Sequence, residues 1–146
     1  MVGQSFQRSQ GLVAKLRGTP GAIGYTELNL AAGSAVRMAS IKNAAGEFVK
    51  PSAKSIAAAA AATGGKMNND FRFSLTNALG KESYPISSFT WLYVPHAAKD
   101  PSRGSAVAGY LKWVYTNGQK IAQEKGYAIF PPDVLEKVVA KAATIR

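Results

Sequence analysis

The sequence predicts an α/β fold, and three observations carry that reading. Stretches with apolar residues at helical spacing alternate along the chain with short runs of β-branched and aromatic residues. Gly and Pro stand at most junctions, where a change of direction needs either free dihedrals or a blocked amide. Hydrophobic residues make up 47% and charged residues 18% of the 146, the balance of a chain that buries a core rather than staying disordered.

Taken in order, Ser9 is placed to cap a short helix whose apolar residues are Leu12, Val13 and Leu16, ended by Thr19-Pro20-Gly21. Ala22 to Leu28 reads as a strand, and its mostly apolar content predicts burial on both faces. Leu28 to Ala32 forms a turn of helix that stops at Gly33. Val36 to Ile41 is a weak strand, Asn43-Ala44-Ala45-Gly46 a turn, and Phe48-Val49 an extended return. Ser52 opens an alanine-rich helix to about Ala62, terminated by Thr63-Gly64-Gly65.

Phe71, Phe73 and Leu75 alternate as a short strand, and Thr76 to Ser83 is a polar connection. Ile86 to Val94, bounded by Pro85 and Pro95, has the strongest strand composition in the chain. Asp100-Pro101-Ser102 opens a helix with Val107, Tyr110, Leu111 and Val114 on one face, broken at Asn117-Gly118. A short helix over 119–125 stops at Gly126, and Tyr127 to Phe130 is an extended link. Pro131-Pro132 starts a last helix with Leu135, Val138, Val139 and Ala142 as its buried stripe. Three or four strands and a weak hairpin, split by the connection at 76–83, are thin for one sheet and fit two partial ones.

Composition removes several chemistries. There is no Cys, so disulfides, thiolates and Cys-based zinc sites are excluded. His96, beside Pro95, is the only histidine and reads as a solvated loop residue, which leaves neither a His-carboxylate metal cluster nor a Ser-His-Asp triad. The longest apolar tract, Ile56 to Ala62, is far too short to span a bilayer, and the start of the chain has no leader pattern. The net charge of +10 is compatible with attraction to an anion or with a merely solubilising surface. The basic residues are scattered, without the run or aromatic interleaving of a nucleic-acid surface. A basic module for nucleic acid or an anionic surface remains the alternative reading.

Three stretches, in order, resemble the PstS family of periplasmic phosphate-binding proteins of ABC transporters. They are Gly18-Thr19-Pro20-Gly21-Ala22-Ile23-Gly24-Tyr25, then Tyr84-Pro85-Ile86-Ser87-Ser88-Phe89-Thr90-Trp91, then Leu111-Lys112-Trp113-Val114-Tyr115-Thr116-Asn117-Gly118-Gln119-Lys120. Tyr84 stands where the family usually has Trp, and the segment Phe71 to Gly80 is similar as well. The resemblance covers essentially the whole chain but only the C-terminal part of the family.

It implies a piece of a two-lobed type II periplasmic-binding-protein fold, with incomplete sheets in both lobes. Residues 1–82 would end the second lobe and residues 83–146 complete the first. The hinge crossing would lie near Lys81, Glu82, Ser83, Tyr84 and Pro85. The implied role is capture of inorganic phosphate in an inter-lobe cleft for the permease subunits, in the periplasm, without catalysis or cofactor.

In the family an Arg followed by a Ser-Gly-Thr turn grips the anion, and no such turn occurs here, so this chain is expected to lack the direct phosphate ligands. Arg17-Gly18-Thr19 and Arg103-Gly104-Ser105 are superficial lookalikes, read respectively as a helix end and a solvated helix start. Gly24 and Tyr25 either approach the cleft behind the ligands or pack a tight turn. Ser87 and Ser88 either line the cleft or satisfy local backbone. Without the remaining strands, the chain is expected to expose apolar edges and to be marginally stable.

Overall fold

A computed structural model describes residues 3–64, 67–68 and 70–146. Its contacts divide the chain into two units, one ending at Ala39 and the other running Ser40–Arg146. The architecture is helices with a small two-stranded sheet, in keeping with an α/β fragment.

In the first unit, α1 (Ser9–Arg17) buries Val13 and half-buries Leu12 and Leu16. Ser9 does not cap it. The chain is still extended at Arg8 (φ −143°, ψ 144°), so Ser9 is already helical and its hydroxyl turns to the Glu27 carboxylate instead. Lys15 and Arg17 sit in the last turn, where their charge complements the carbonyl end of the helix dipole. The one-turn helix α2 (Leu28–Ala32) follows and ends at Gly33, as expected.

The second unit starts with a hairpin of β1 (Ile41–Lys42) and β2 (Phe48–Val49), antiparallel with Ile41 opposite Val49. Only Ile41 of the expected 36–41 strand joins it. The turn closes with the Asn43 amide donating to Glu47 O (2.9 Å) and the Gly46 amide to Asn43 O (2.9 Å). Gly46 has φ +85°, a conformation that penalises any side chain.

Helix α3 (Ala53–Gly64) begins where the sequence placed it. Ser52 Oγ accepts from the Ser55 amide (3.0 Å), and the Ser52 amide donates back to Ser55 Oγ (2.9 Å). Two otherwise orphaned donors are thereby satisfied by two serines. The helix runs past Ala62 through the first two of the expected terminators, Thr63 and Gly64, and the third, Gly65, lies outside the described residues.

Helix α4 (Pro101–Thr116) has Pro at its first turn and Asp100 as its cap, with Asp100 Oδ1 accepting from the Ser102 amide at 2.9 Å. Helices α5 (Gly118–Glu124) and α6 (Pro132–Ala142) follow. Helix α4 packs on α5 and α6, and α6 also on α3. The core holds Leu111, Ala142 and the fully enclosed Val134, with Leu75 from the extended segment 71–75. The expected stripe of α6 gains a residue: Ala142 is buried and Leu135, Val138 and Val139 are half-buried, but Val134, not foreseen, is buried deepest. Tyr110, assigned to the apolar face of α4, is 65% exposed.

The main correction concerns the strands. Residues 22–27, 71–75 and 86–94 lie outside any ladder among the described residues. Ile23 (96%) and Tyr25 (90%) are almost bare rather than buried on both faces, and Tyr93 (95%) in the later segment is as open. A strand, unlike a helix, makes its hydrogen bonds only with another segment, and no described segment supplies one.

Candidate functional site

The positions singled out by sequence fall into distinct settings. In the first unit, Gly24 sits under α1. A Cβ there would stand 3.1 Å from Leu16 Cδ1 and 3.2 Å from Leu12 Cδ1, so glycine lets the helix approach the extended segment. That contact is a packing role for Gly24. Tyr25 points away with its ring exposed.

The best-ordered polar arrangement surrounds the expected crossing. Ser83 is enclosed, and its hydroxyl donates to Leu79 O at 2.8 Å while its amide donates to Gly80 O at 3.3 Å. The Tyr84 amide donates to Ser55 O in the first turn of α3 (3.1 Å), and Pro85 O accepts from the Asn77 amide (2.8 Å). Asn77 adopts φ 52°, a left-handed conformation that asparagine tolerates better than most residues. Ser87 Oγ donates to Tyr84 O at 2.8 Å. Burial pushes the Tyr84 hydroxyl pKa up. Lys54 and Glu82 form an exposed ion pair at 3.1 Å, a geometry that contributes little in water.

At the centre is a residue that sequence reading treated only as part of a turn. Asn43 is 6% exposed. Its Nδ2 donates to the carbonyls of Gly80 (3.1 Å), Lys81 (2.9 Å) and Ser83 (3.1 Å). Its Oδ1 accepts from the amides of Ala45 and Glu47, each at 3.0 Å. The orientation of the carboxamide follows from its partners, since the reverse would set oxygen against three carbonyls and nitrogen against two amides. An Asn at the start of a turn is a recognisable local signal; that it reaches 37 to 40 residues along the chain is not.

The two serines separate here. Ser87 is buried and spent on local backbone, whereas Ser88 is exposed and donates to Phe89 O at 3.2 Å. The lookalike at Arg103-Gly104-Ser105 also has a packing explanation. The backbone of Arg146 lies directly against Gly104, leaving no room for a Cβ. That tail is held by Ala98 N–H to Arg146 O (2.8 Å) and Arg146 N–H to His96 O (3.0 Å). Arg103 Nε lies 3.6 Å from Asp100 Oδ2, in the open. The hydroxyl of Ser102, then its amide, hold the Asp100 carboxyl below the usual range. His96 is exposed, as expected of a loop residue.

Elsewhere in the second unit, Phe73, Phe89, Trp91, Phe130 and Tyr115 form a chain of ring contacts with centroids 5.5 to 6.5 Å apart. Four of these rings, Phe89, Trp91, Tyr115 and Phe130, with Leu111 and Val134, wall a half-open cavity of about 390 Å³. Burial there raises the Tyr115 hydroxyl pKa. Such a wall suits apolar surface; a phosphate would lose its hydration against rings that offer little in return. A second hollow of about 410 Å³ lies beside the hairpin, where Lys50, Lys54 and Lys81 are offset by Glu47 and Glu82. Among the described residues no group of His, Asp or Glu could hold a metal ion, and no helix is long and apolar enough to cross a membrane.

A family model described as PBP superfamily domain matches residues 2–117. The phosphate-binding protein PstS of Xylella fastidiosa is 34% identical over 132 residues, covering 90% of this chain and 36% of that protein. The proteins of the same name from Pasteurella multocida and Methanocaldococcus jannaschii are 31% and 33% identical, over 97% and 90% of this chain and 41% and 37% of theirs. The chain therefore spans between about a third and two-fifths of the length of these curated relatives.

Proposed function

This chain belongs to the PBP superfamily, and from that premise we propose that it is the C-terminal part of a phosphate-binding protein that serves an ABC transporter. The whole protein captures inorganic phosphate in a cleft between two lobes and delivers it to the permease subunits, in the periplasm or outside the cytoplasmic membrane. The chain supplies the end of the second lobe up to about residue 82 and the completion of the first from about residue 83, with the crossing at Lys81 to Pro85. No bond is made or broken in this work, so the protein is a binder and not an enzyme.

The observation that carries the reading is collinear similarity to PstS proteins over nearly all of the chain, through the three motif blocks in order. The anion's direct ligands belong to the part of those relatives that this chain does not cover. Gly24 and Ser87 are then structural supports, packed under α1 and bonded to Tyr84 O, and the exposed Tyr25 and Ser88 are the ones of the four left to stand near the cleft.

Isothermal titration tests both halves of the reading. This chain alone should give no measurable heat with inorganic phosphate, and binding at micromolar strength or tighter would mean that the ligands are misplaced. The same residues preceded by their upstream coding sequence should bind phosphate in a one-to-one ratio; no binding by that longer protein would sink the functional assignment.

A further inference from the structure

The crossing segment owes its shape to one side chain. Residues 80–84 are short, polar and devoid of regular structure, yet their backbone is held at several points. Three of their carbonyls converge on Asn43 Nδ2, and two of their amides are satisfied, Ser83 by Gly80 O and Tyr84 by Ser55 O. Two hydrogens serve three acceptors, so at least one is shared, a geometry that loses much of its strength if the segment shifts. The other end of the carboxamide is occupied by the hairpin turn. Asn43 thus ties two backbone segments together from a site almost closed to water, where breaking a hydrogen bond leaves partners unpaired.

We infer that Asn43 is a positioning residue that locks the crossing segment 80–84 to the hairpin turn, so that both move as one body with the start of α3. The lock extends through Asn77 to Pro85 and Ser87 to Tyr84. The lock ends at Ser87, since no amide from Phe89 to Val94 donates to another main-chain group among the described residues. The crossing segment is thus a rigid bracket between the hairpin turn and the start of α3.

The side chain has two ends, which gives a test with an internal control. Asn43→Asp keeps an oxygen for the Ala45 and Glu47 amides but turns a carboxylate oxygen towards three carbonyls. Residue-resolved hydrogen exchange on this chain should show the Ser83 and Tyr84 amides exchanging at least about tenfold faster in the variant, with Ala45 and Glu47 changed less than about threefold. Asn43→Ala, which removes both ends, should accelerate all four. Unchanged Ser83 and Tyr84 in Asn43→Asp would overturn the inference, and so would equal acceleration of all four amides there, since that is global loosening.

Should the Asp variant not fold, the wild-type chain still decides. The Asn43 carboxamide protons must exchange at least about tenfold more slowly than those of a free asparagine, and free-like exchange refutes the lock. None of these readouts involves phosphate. Failure of the titrations above would remove the lobe interpretation and leave the bracket standing, while failure here would remove the bracket alone.

Discussion

Helices α3, α4 and α6 and the extended segments 22–27 and 86–94 come from the same chain and are comparably apolar, yet they meet opposite fates. The helices reach their sequence-expected positions and enclose Val134, Leu111 and Ala59. The extended segments keep their direction but find no ladder, and they leave Ile23, Tyr25, Leu92 and Tyr93 exposed. The difference lies in where each element's hydrogen bonds go. A helix pairs its amides four residues back and needs neighbours only for its apolar stripe. A strand needs a neighbour for its backbone and another for each face. A chain matching little more than a third of its relatives' length can complete the first kind of element more readily than the second.

Three substitutions would break or sharpen that contrast. The largest effect is expected at Leu75, which is 2% exposed among the helices of the second unit. Leu75→Ala should cost about 2–5 kcal/mol in denaturant unfolding, and a loss below 1 kcal/mol would mean that the helical region lacks a packed core. A middling effect is expected at Ser52, whose hydroxyl completes the reciprocal pair at the start of α3. Ser52→Ala should remove about 1 kcal/mol and lower helicity by circular dichroism; no change would show that Ser55 suffices alone. The smallest belongs to the extended region: Ile23→Ser, at a side chain 96% exposed, should shift stability by less than about 0.5 kcal/mol while reducing self-association seen by light scattering. A substantial destabilisation there would reveal packing on that face and undo the contrast.

Much of the architecture was legible in residue order because it rests on local chemistry. Asp100 before Pro101, Ser52 before an alanine run, and Gly33 after Leu28–Ala32 mark helix ends through bonds made within a few residues. The Asn43–Gly46 turn was readable for the same reason. Less of the candidate site was legible. Gly24 could be flagged but not interpreted, because the distinction between cleft and packing depends on Leu12 and Leu16 arriving from α1. The Arg103-Gly104-Ser105 lookalike is resolved only by Arg146, which lies 42 residues beyond Gly104 in the chain and directly against it in space. Ser87 and Ser88 are adjacent and chemically identical, yet one is buried on Tyr84 O and the other is open.

By itself the sequence determined the class, the helix boundaries, the chemistries that zero Cys and one His rule out, and the family, since the motif blocks are written in residue order. Only the tertiary structure decided which strand-like runs stay unpaired, which valine of α6 fills the core, and that the Asn43 carboxamide bonds the carbonyls of Gly80, Lys81 and Ser83. The physical reason is reach. Caps, turns and helical periodicity are settled within about four residues, whereas ladders, close glycine contacts and a carboxamide shared between distant segments depend on what the rest of the chain brings to that point.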